Sequence, residues 1–258
     1  VRTEKELLNQ YIKSGVQGTI LFPVVTEMNS PMITRLIHGS ETAPPYPLVF
    51  IDRYLENTGG SYIISDNRQG SRLAADYLLN AVGEQIAILH FPLCNSTVTE
   101  RYDSFRAAFT SSGIPFTPKN DCMIDDLRLL DKSNENRIEY IMASILQHLR
   151  KYNQLQGLFC ANAEIAQIAY YAVIQMKRTP GVDFEIVSFD PPYLPGVHFI
   201  QQDYRTMVQH AIDLLFAQIQ GDFTVVQTRI PTSFIYMDAQ PTHTQSLRYL
   251  IKGPNQTF

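Results

Sequence analysis

Short runs of consecutive apolar residues alternate along this chain with longer stretches in which apolar residues recur at helical spacing. The runs predict buried strands, and the longer stretches predict helices that pack on them. Strands are predicted at 18–22, 48–52, 61–65, 85–91, 121–124, 155–161, 184–189, 197–200, 225–230 and 233–237. Helices are predicted at 4–14, 31–38, 70–81, 100–111, 134–151, 164–177, 204–220 and 246–251. Strands separated by long helices are typical of βαβ crossovers, so the pattern predicts an α/β protein with doubly wound parallel sheets.

Polar side chains recur where the predicted strands end. In an open α/β sheet, ligands bind in the crevice beyond the carboxyl ends of the strands. Carboxylate, amide and guanidinium groups there can hold vicinal hydroxyls through paired hydrogen bonds, and an aromatic ring can cover the C–H face of a sugar. The sequence therefore predicts a site for a small polyhydroxy ligand. Its candidate residues are Asp52, Ser65, Arg101, Asn162, Asp190, Gln202 and Tyr204, with Phe91 as a second candidate for the aromatic face.

Each candidate residue also has a purely structural interpretation. Asp66 or Asn67 can cap the helix that begins beside Ser65, and Asn162 can cap the helix that follows it. Arg101 can pair with a neighbouring carboxylate, and Asp190 precedes two prolines, as a turn residue often does. The joint placement of polar residues at strand ends, more than any one of them, favours a binding site.

Composition narrows the classes of function. The net charge of −4 and the pI near 5.9 argue against a basic surface that binds nucleic acid directly. No apolar run of about 18 residues predicts a membrane span, and the first residues do not form a signal peptide. Cys94, Cys122 and Cys160 are far apart, which favours free thiols in a reducing compartment and predicts a cytoplasmic protein. One disulfide plus one free thiol is the alternative.

Motifs of catalysis are not found in the sequence. It contains no nucleophile elbow, zinc-binding HExxH, phosphate loop or dinucleotide-binding GxGxxG. The six histidines show no spacing typical of metal ligands, and the adjacent carboxylates Asp125 and Asp126 are interpreted as solvated. The sequence therefore predicts no catalytic residue, metal or cofactor.

Eight motifs follow one another along the chain: GVQGTILFPV (15–24), PLVFIDRY (47–54), SDNRQGSRLAADYLL (65–79), TERYDSFRAAF (99–109), LFCANAEIA (158–166), EIVSFD (185–190), HFIQQDY (198–204) and AIDLLFAQIQGD (211–222). As an ordered set, they resemble the effector-binding region of bacterial transcription regulators of the LacI/GalR type. The motifs at 47–54 and 65–79 most resemble the subgroup whose sensor domain is joined to a GntR-type winged helix.

The resemblance implies a periplasmic binding protein-like type I fold, with two lobes joined by three crossovers and the ligand bound between them. The first lobe is expected at 1–84 plus 203–226, and the second at 85–200 plus 227–258. The first strand and helix of the family, and the DNA-binding domain before them, have no counterpart in this sequence. The family further implies a homodimer that senses a monosaccharide or sugar phosphate and binds DNA through the missing domain.

The resemblance also implies roles for individual residues. It assigns ligand contacts to Asp52, Ser65, Arg101, Asn162, Asp190 and Gln202, the set found at strand ends. It favours Asn67 as the helix cap and Ser65 as a residue that faces the cleft. The sequence departs from the family pattern at Ala163, where an aspartate is usual, at Ser188, where a glycine is usual, and at Pro191-Pro192.

Two other functions share these features. A solute-binding protein for sugar uptake would use the same fold and cleft, and a signal peptide upstream would distinguish it from a regulator with a DNA-binding domain upstream. An enzyme on a doubly wound sheet would need a phosphate loop or a nucleophile. Without either motif, the sequence favours an effector-sensing domain of a transcriptional regulator, and not an enzyme.

Overall fold

A computed structural model describes residues 3–24, 30–125 and 136–239 of the chain. The elements in chain order are α1 (Glu4–Lys13), β1 (Thr19–Leu21), α2 (Ser30–His38), β2 (Leu48–Ile51), β3 (Ser61–Ser65), α3 (Asn67–Val82), β4 (Ile86–His90), α4 (Ser96–Ser111), β5 (Asp121–Met123), α5 (Arg137–Lys151), β6 (Gly157–Cys160), α6 (Ala163–Gln175), β7 (Glu185–Phe189), β8 (Val197–Gln201), α7 (Tyr204–Ile219), β9 (Gln227–Ile230) and β10 (Ser233–Ile235). Each corresponds to a predicted element; the helix predicted at 246–251 lies outside the described residues.

Two helices begin earlier than the sequence predicts, because polar residues fill their first turns. α3 begins at Asn67, where Oδ1 of Asp66 accepts the backbone N–H of Gln69 at 2.9 Å. Asp66 is therefore the cap, and the assignment of the cap to Asn67 is wrong. α4 begins at Ser96, where Oδ1 of Asn95 accepts an N–H from the first turn.

The chain forms two compact units, each made of three segments. The first unit comprises Val1–Gln69, Leu93–Asp103 and Gln202–Thr232. The second comprises Gly70–Pro92, Ser104–Gln201 and Ser233–Phe258.

The first unit is built on four parallel strands in the order β1-β2-β3-β9. Alternate residues of β2 point to opposite faces of this sheet. On one face, Phe50 packs with Leu8 of α1 and Ile33 of α2. On the other face, Val49 packs with Ala211 of α7. Helices on both faces explain why β2 reads as a continuous apolar run.

The second unit is built on six strands in the order β10-β8-β7-β6-β4-β5. All of its neighbouring strands are parallel except β10, which runs antiparallel to β8. On one face, Leu158 packs with Ile145 of α5 and Ala169 of α6. On the other face, Phe159 stacks on Phe105 of α4, with ring centroids 5.4 Å apart.

The chain passes between the two sheets three times, after β3, after β8 and after β9. Two doubly wound parallel sheets with three crossovers confirm the predicted fold class. The units differ from the predicted lobes, because 70–84 group with the second sheet and 93–103 and 227–232 with the first. β9 belongs to the first sheet since it pairs with β3.

Helix α3 packs closely against the second sheet. A Cβ atom added at Gly70 would lie 2.8 Å from side-chain carbons of both Ile200 and Phe189. A Cβ added at Gly157 of β6 would lie 3.1 Å from Leu78 of the same helix. Glycine at these positions lets helix and sheet approach each other, and this contact explains why most of α3 belongs to the second unit.

A hydrogen-bond network also ties α3 to the second sheet. Oη of Tyr77 donates to Oε2 of Glu185 at 3.0 Å and lies 2.7 Å from Nε2 of His198. The backbone N–H of Met237 donates to Nδ1 of His198, so the neutral ring carries its proton on Nε2. Hydrogen bonds from His198 and then from Tyr77 lower the pKa of the Glu185 carboxyl, and burial opposes them.

In the described part of the chain, no helix is long and apolar enough to cross a membrane.

We expect Gly70→Ala to lower the free energy of unfolding by about 1–2 kcal/mol. Alanine would gain up to about 1 kcal/mol in helix propensity, but overpacking against Phe189 and Ile200 costs about 1–3 kcal/mol. Urea unfolding measures the change. Asn80→Ala, at an exposed position of the same helix, is the control and should change stability by less than about 0.5 kcal/mol. A stabilised Gly70→Ala variant would contradict the close packing.

We expect Glu185→Gln to destabilise the protein at pH 7 by about 1 kcal/mol, after allowance for solvent screening. Because the folded pKa of Glu185 lies below the unfolded value, the carboxylate's stabilisation is complete above the unfolded pKa and is lost as the pH falls through the folded pKa. Unfolding curves of both proteins from pH 7 to pH 3 should therefore converge at the acid end. A constant difference across that range would exclude this contribution of ionised Glu185.

Candidate functional site

In the first unit, a chain of hydrogen bonds joins three of the predicted site residues. Oγ of Ser65, at the end of β3, donates to Oε1 of Gln202 at 2.5 Å. Nε2 of Gln202 donates to Oη of Tyr204 at 2.9 Å. Ser65 and Gln202 are 1% and 4% exposed, whereas Tyr204 is 46% exposed. The amide of Gln202 is thus fixed in one orientation, with the tyrosine at its accessible end.

Asp52 follows β2 in a left-handed backbone conformation, with φ of 67°. Its N–H donates to the carbonyl of Ile63 in β3, and its own carbonyl accepts from Oγ1 of Thr97 in α4. Its carboxylate lies 3.7 Å from Nε of Arg53. Burial lowers the pKa of Arg53, and the charge of Asp52 opposes that shift. The backbone of Asp52 is held at two points, and its carboxylate lies beside Arg53.

Arg101 lies in α4 and is 4% exposed. Its Nε donates to Oδ1 of Asn67 at 2.8 Å, and Asn67 is itself 1% exposed. The side chain of Asn67, predicted as a helix cap, therefore orients the guanidinium. The structural interpretation of Arg101 predicts an ion pair with a neighbouring carboxylate, whereas this hydrogen bond goes to an amide oxygen.

In the second unit, Asn162 and Asp190 follow the neighbouring strands β6 and β7. Oδ1 of Asn162 accepts the N–H of Ile165 at 2.9 Å and so caps α6, as its structural interpretation predicts. The cap uses only the amide oxygen of Asn162, so its Nδ2 donors remain available to a ligand. Asp190 has a φ of 76°, and its N–H donates to the carbonyl of Ile200. Both strands thus end in a polar side chain at the same edge of the sheet.

The predicted site residues divide between the two units. Asp52, Ser65, Arg101, Gln202 and Tyr204 belong to the first unit, and Asn162 and Asp190 belong to the second. Direct hydrogen bonds join Ser65, Gln202 and Tyr204, while Asp52 and Arg101 are held by other residues, Thr97 and Asn67. The predicted set therefore consists of two groups, each positioned within its own unit.

Sequence reasoning missed a charged cluster in the first unit. Glu100 is 6% exposed and accepts two hydrogen bonds from Arg229, at 2.6 and 2.7 Å, and one from Oη of Tyr54 at 3.1 Å. The hydrogen bonds to Glu100 raise the pKa of Arg229. Nothing in the local sequence identifies Arg229 as the partner of Glu100.

A second missed pair lies in the second unit. Arg137 and Glu164 stand in the first turns of α5 and α6 and form a two-pronged ion pair. The Arg137 guanidinium also lies 5.4 Å from the centroid of the Phe91 ring. The side chain that was the second candidate for an aromatic face is therefore in contact with a cation.

Among the described residues, no group of three or more histidine, cysteine, aspartate or glutamate side chains could hold a metal ion. The polar groups of the site include both hydrogen-bond donors and acceptors, an arrangement suited to binding a ligand.

Comparison with known proteins relates the chain to repressors. No protein-family model matches it. It is 26% identical over 222 residues to the "Probable HTH-type transcriptional regulator EndR" of Paenibacillus polymyxa. The aligned region covers 84% of this chain and 60% of that protein. It is 27% identical over 237 residues to the ribose operon repressor of Escherichia coli. The aligned region covers 90% of this chain and 66% of that protein. The chain thus spans about three fifths of the length of these relatives.

Solved structures show the same fold. A regulatory protein of the LacI family from Chloroflexus aggregans has a TM-score of 0.75 at 20% identity, over 93% of this chain and 83% of that chain. A complex of the transcriptional regulator CelR with cellobiose has a TM-score of 0.75 at 19% identity, over 93% of this chain and 71% of that chain. These findings confirm the resemblance to LacI/GalR-type regulators, while the GntR-linked subgroup stays a prediction.

We expect Asp52→Ala to cost about 1 kcal/mol more in stability than Asp52→Asn. Both changes remove the charge beside Arg53, but asparagine tolerates the left-handed conformation at φ of 67° and alanine does not. Urea unfolding without ligand measures the difference between the two variants. Equal stability of the two would mean that the backbone at Asp52 carries no strain.

Proposed function

Since its homologues are LacI-family repressors and its fold is that of their effector-binding domains, we propose that this chain is the effector-sensing domain of a DNA-binding transcriptional regulator. The effector is a sugar or a related small molecule. The ribose operon repressor and the CelR–cellobiose complex support a sugar as the class of effector.

The observation that carries this proposal is the placement of fixed polar groups at strand ends in each unit. Asp52 and Asp190 supply carboxylates that accept from hydroxyls, and Arg101 and Asn162 supply donors. Tyr204 is exposed and supplies the apolar face. The mixture of donors and acceptors with one aromatic ring suits a hydroxyl-rich ligand.

Ser65, a predicted contact, and Asn67, predicted as a helix cap, take more specific roles in the proposal. Ser65 is 1% exposed and donates its hydroxyl to Gln202, so we infer that it orients Gln202 and does not itself contact the ligand. Asn67 does the same for Arg101. Buried partners of this kind keep a binding group in its bound orientation before the ligand arrives, which reduces the entropy lost on binding.

The proposed mechanism is a shift between two arrangements of the protein. A ligand changes such an equilibrium only by its differential affinity for the two states, and a tenfold preference corresponds to about 1.4 kcal/mol. In the proposal, the protein acts as a homodimer that binds DNA through a separate domain. The name of the Paenibacillus polymyxa relative, an HTH-type transcriptional regulator, supports the DNA-binding part of the proposal.

The proposal also includes the cellular setting and the absence of an enzymatic reaction. The relatives are named as transcriptional regulators. Cys94, Cys122 and Cys160 are all free thiols, and burial raises the pKa of Cys122 to about 12, so that thiol stays protonated and unreactive. Free thiols suit the reducing cytoplasm, which is where we propose that the protein acts.

A thermal-shift screen tests the proposal. The chain is melted with ribose, glucose, cellobiose and the phosphate esters of the two monosaccharides. We expect one of these to raise the Tm by about 5 °C or more at a concentration about 100 times its Kd. Asp190→Asn should abolish that rise, because it removes the carboxylate while asparagine still accepts a φ of 76°.

The matched control is Asp213→Asn, at an exposed position of α7, which should retain the full rise in Tm. Melting without ligand checks that Asp190→Asn still folds. If Asp190→Asn keeps the response of the unmodified chain, the role of Asp190 is wrong. If no member of the screen binds by calorimetry, the sugar-sensing function fails.

A further inference from the structure

A cleft of about 400 Å³ lies within the first unit and contains none of the residues assigned to the effector. We call it the tyrosine cleft. It is formed by the loop after β2 together with side chains from β3, α3 and β9. Its volume is within the range of small-molecule sites. Its principal lining residues are Tyr54, Asn57, Gly59, Tyr62, Arg68 and Arg229.

One guanidinium of the tyrosine cleft is fixed in place. Arg229 forms a two-pronged ion pair with the buried carboxylate of Glu100, which also accepts from Tyr54. Tyr54 stacks on Tyr62, with ring centroids 4.5 Å apart and the planes inclined by 16°. Since a guanidinium has five N–H donors, Arg229 has donors beyond the two that Glu100 uses.

A second guanidinium lies beside the first. The side chain of Arg68 is 64% exposed, and its Nη2 is 3.5 Å from Oε1 of Glu100. Two cations thus share one buried carboxylate. Glu56 also lines the tyrosine cleft, so a ligand there would be recognised by directed donors more than by net charge.

The loop supplies backbone donors to the same cleft. Asn57 and Gly59 have φ of 59° and 66°, while Thr58 between them is not in the left-handed region. Such alternation of backbone conformation turns successive N–H groups toward one side and forms an anion-binding concavity. Within the described part of the chain, the N–H groups of Asn57, Gly59 and Gly60 donate to no protein acceptor, while that of Thr58 faces the carbonyl of Leu55 across a turn.

We propose that the tyrosine cleft binds a small molecule through an oxyanion, a phosphate or a carboxylate. Two guanidinium groups, the loop amides and the Tyr62 hydroxyl converge on one cleft, and most of these groups are hydrogen-bond donors. Guanidinium groups and concave arrays of amides are the groups that hold such anions in proteins. This is a second ligand site, independent of the proposed effector site.

Calorimetric titration of the chain with inorganic phosphate, and separately with acetate, tests the proposal. Chloride keeps the ionic strength constant, so non-specific screening is the same throughout. We expect one anion to bind with a Kd of about 1 mM, and the two titrations distinguish a phosphate site from a carboxylate site. Arg68→Gln should weaken that binding about tenfold, and Tyr62→Phe about threefold.

Arg72→Gln is the matched control. Arg72 lies in the same helix, pairs with Asp76 and does not line the tyrosine cleft, so binding should stay within about twofold. Asp190→Asn should bind the anion as well as the unmodified chain does, which separates this site from the sugar site. The proposal is overturned if neither anion binds more strongly than chloride, or if Arg68→Gln and Arg72→Gln weaken binding equally.

Discussion

Parallel pairing of strands is the constraint on which the remaining features of this protein depend. A parallel sheet brings the carboxyl ends of its strands to one edge, so residues far apart in the chain become neighbours there. In the first sheet this edge carries Asp52 and Ser65, and in the second it carries Asn162 and Asp190. The strands themselves are apolar and are buried under the helices, whereas the residues that follow the strands are polar. Burial and recognition are thus assigned to different positions of the same segments.

The polar groups at these edges are held by buried partners. Ser65 fixes Gln202, and Asn67 fixes Arg101, each through a hydrogen bond between residues less than 5% exposed. In a medium of low dielectric, leaving either member unpaired costs about 1–3 kcal/mol, so the pairs stay formed. The orientation of these polar side chains is therefore coupled to the stability of the fold.

The strands and helices could be predicted from the sequence because each apolar run is continuous and each helix has a regular stripe. The polar residues that follow the strands could be predicted because strand ends are visible in the same pattern. The sequence does not show which of two adjacent polar residues caps a helix. The cap of α3 is Asp66 and not Asn67. Nor does local pattern pair Glu100 with Arg229, since only the assembled sheet brings β9 near α4. The grouping of α3 with the second sheet depends on packing at Gly70 in the same way.

The order of the strands has a consequence for synthesis on the ribosome. The first sheet needs β9 beside β3, and β9 is one of the last segments of the described chain to emerge. Until then, β3 has an open edge able to pair with the wrong strand. The second sheet likewise lacks β10 until that moment, although its five parallel strands precede β9 in the chain. A nascent chain that stalls before residue 227 therefore cannot complete either sheet.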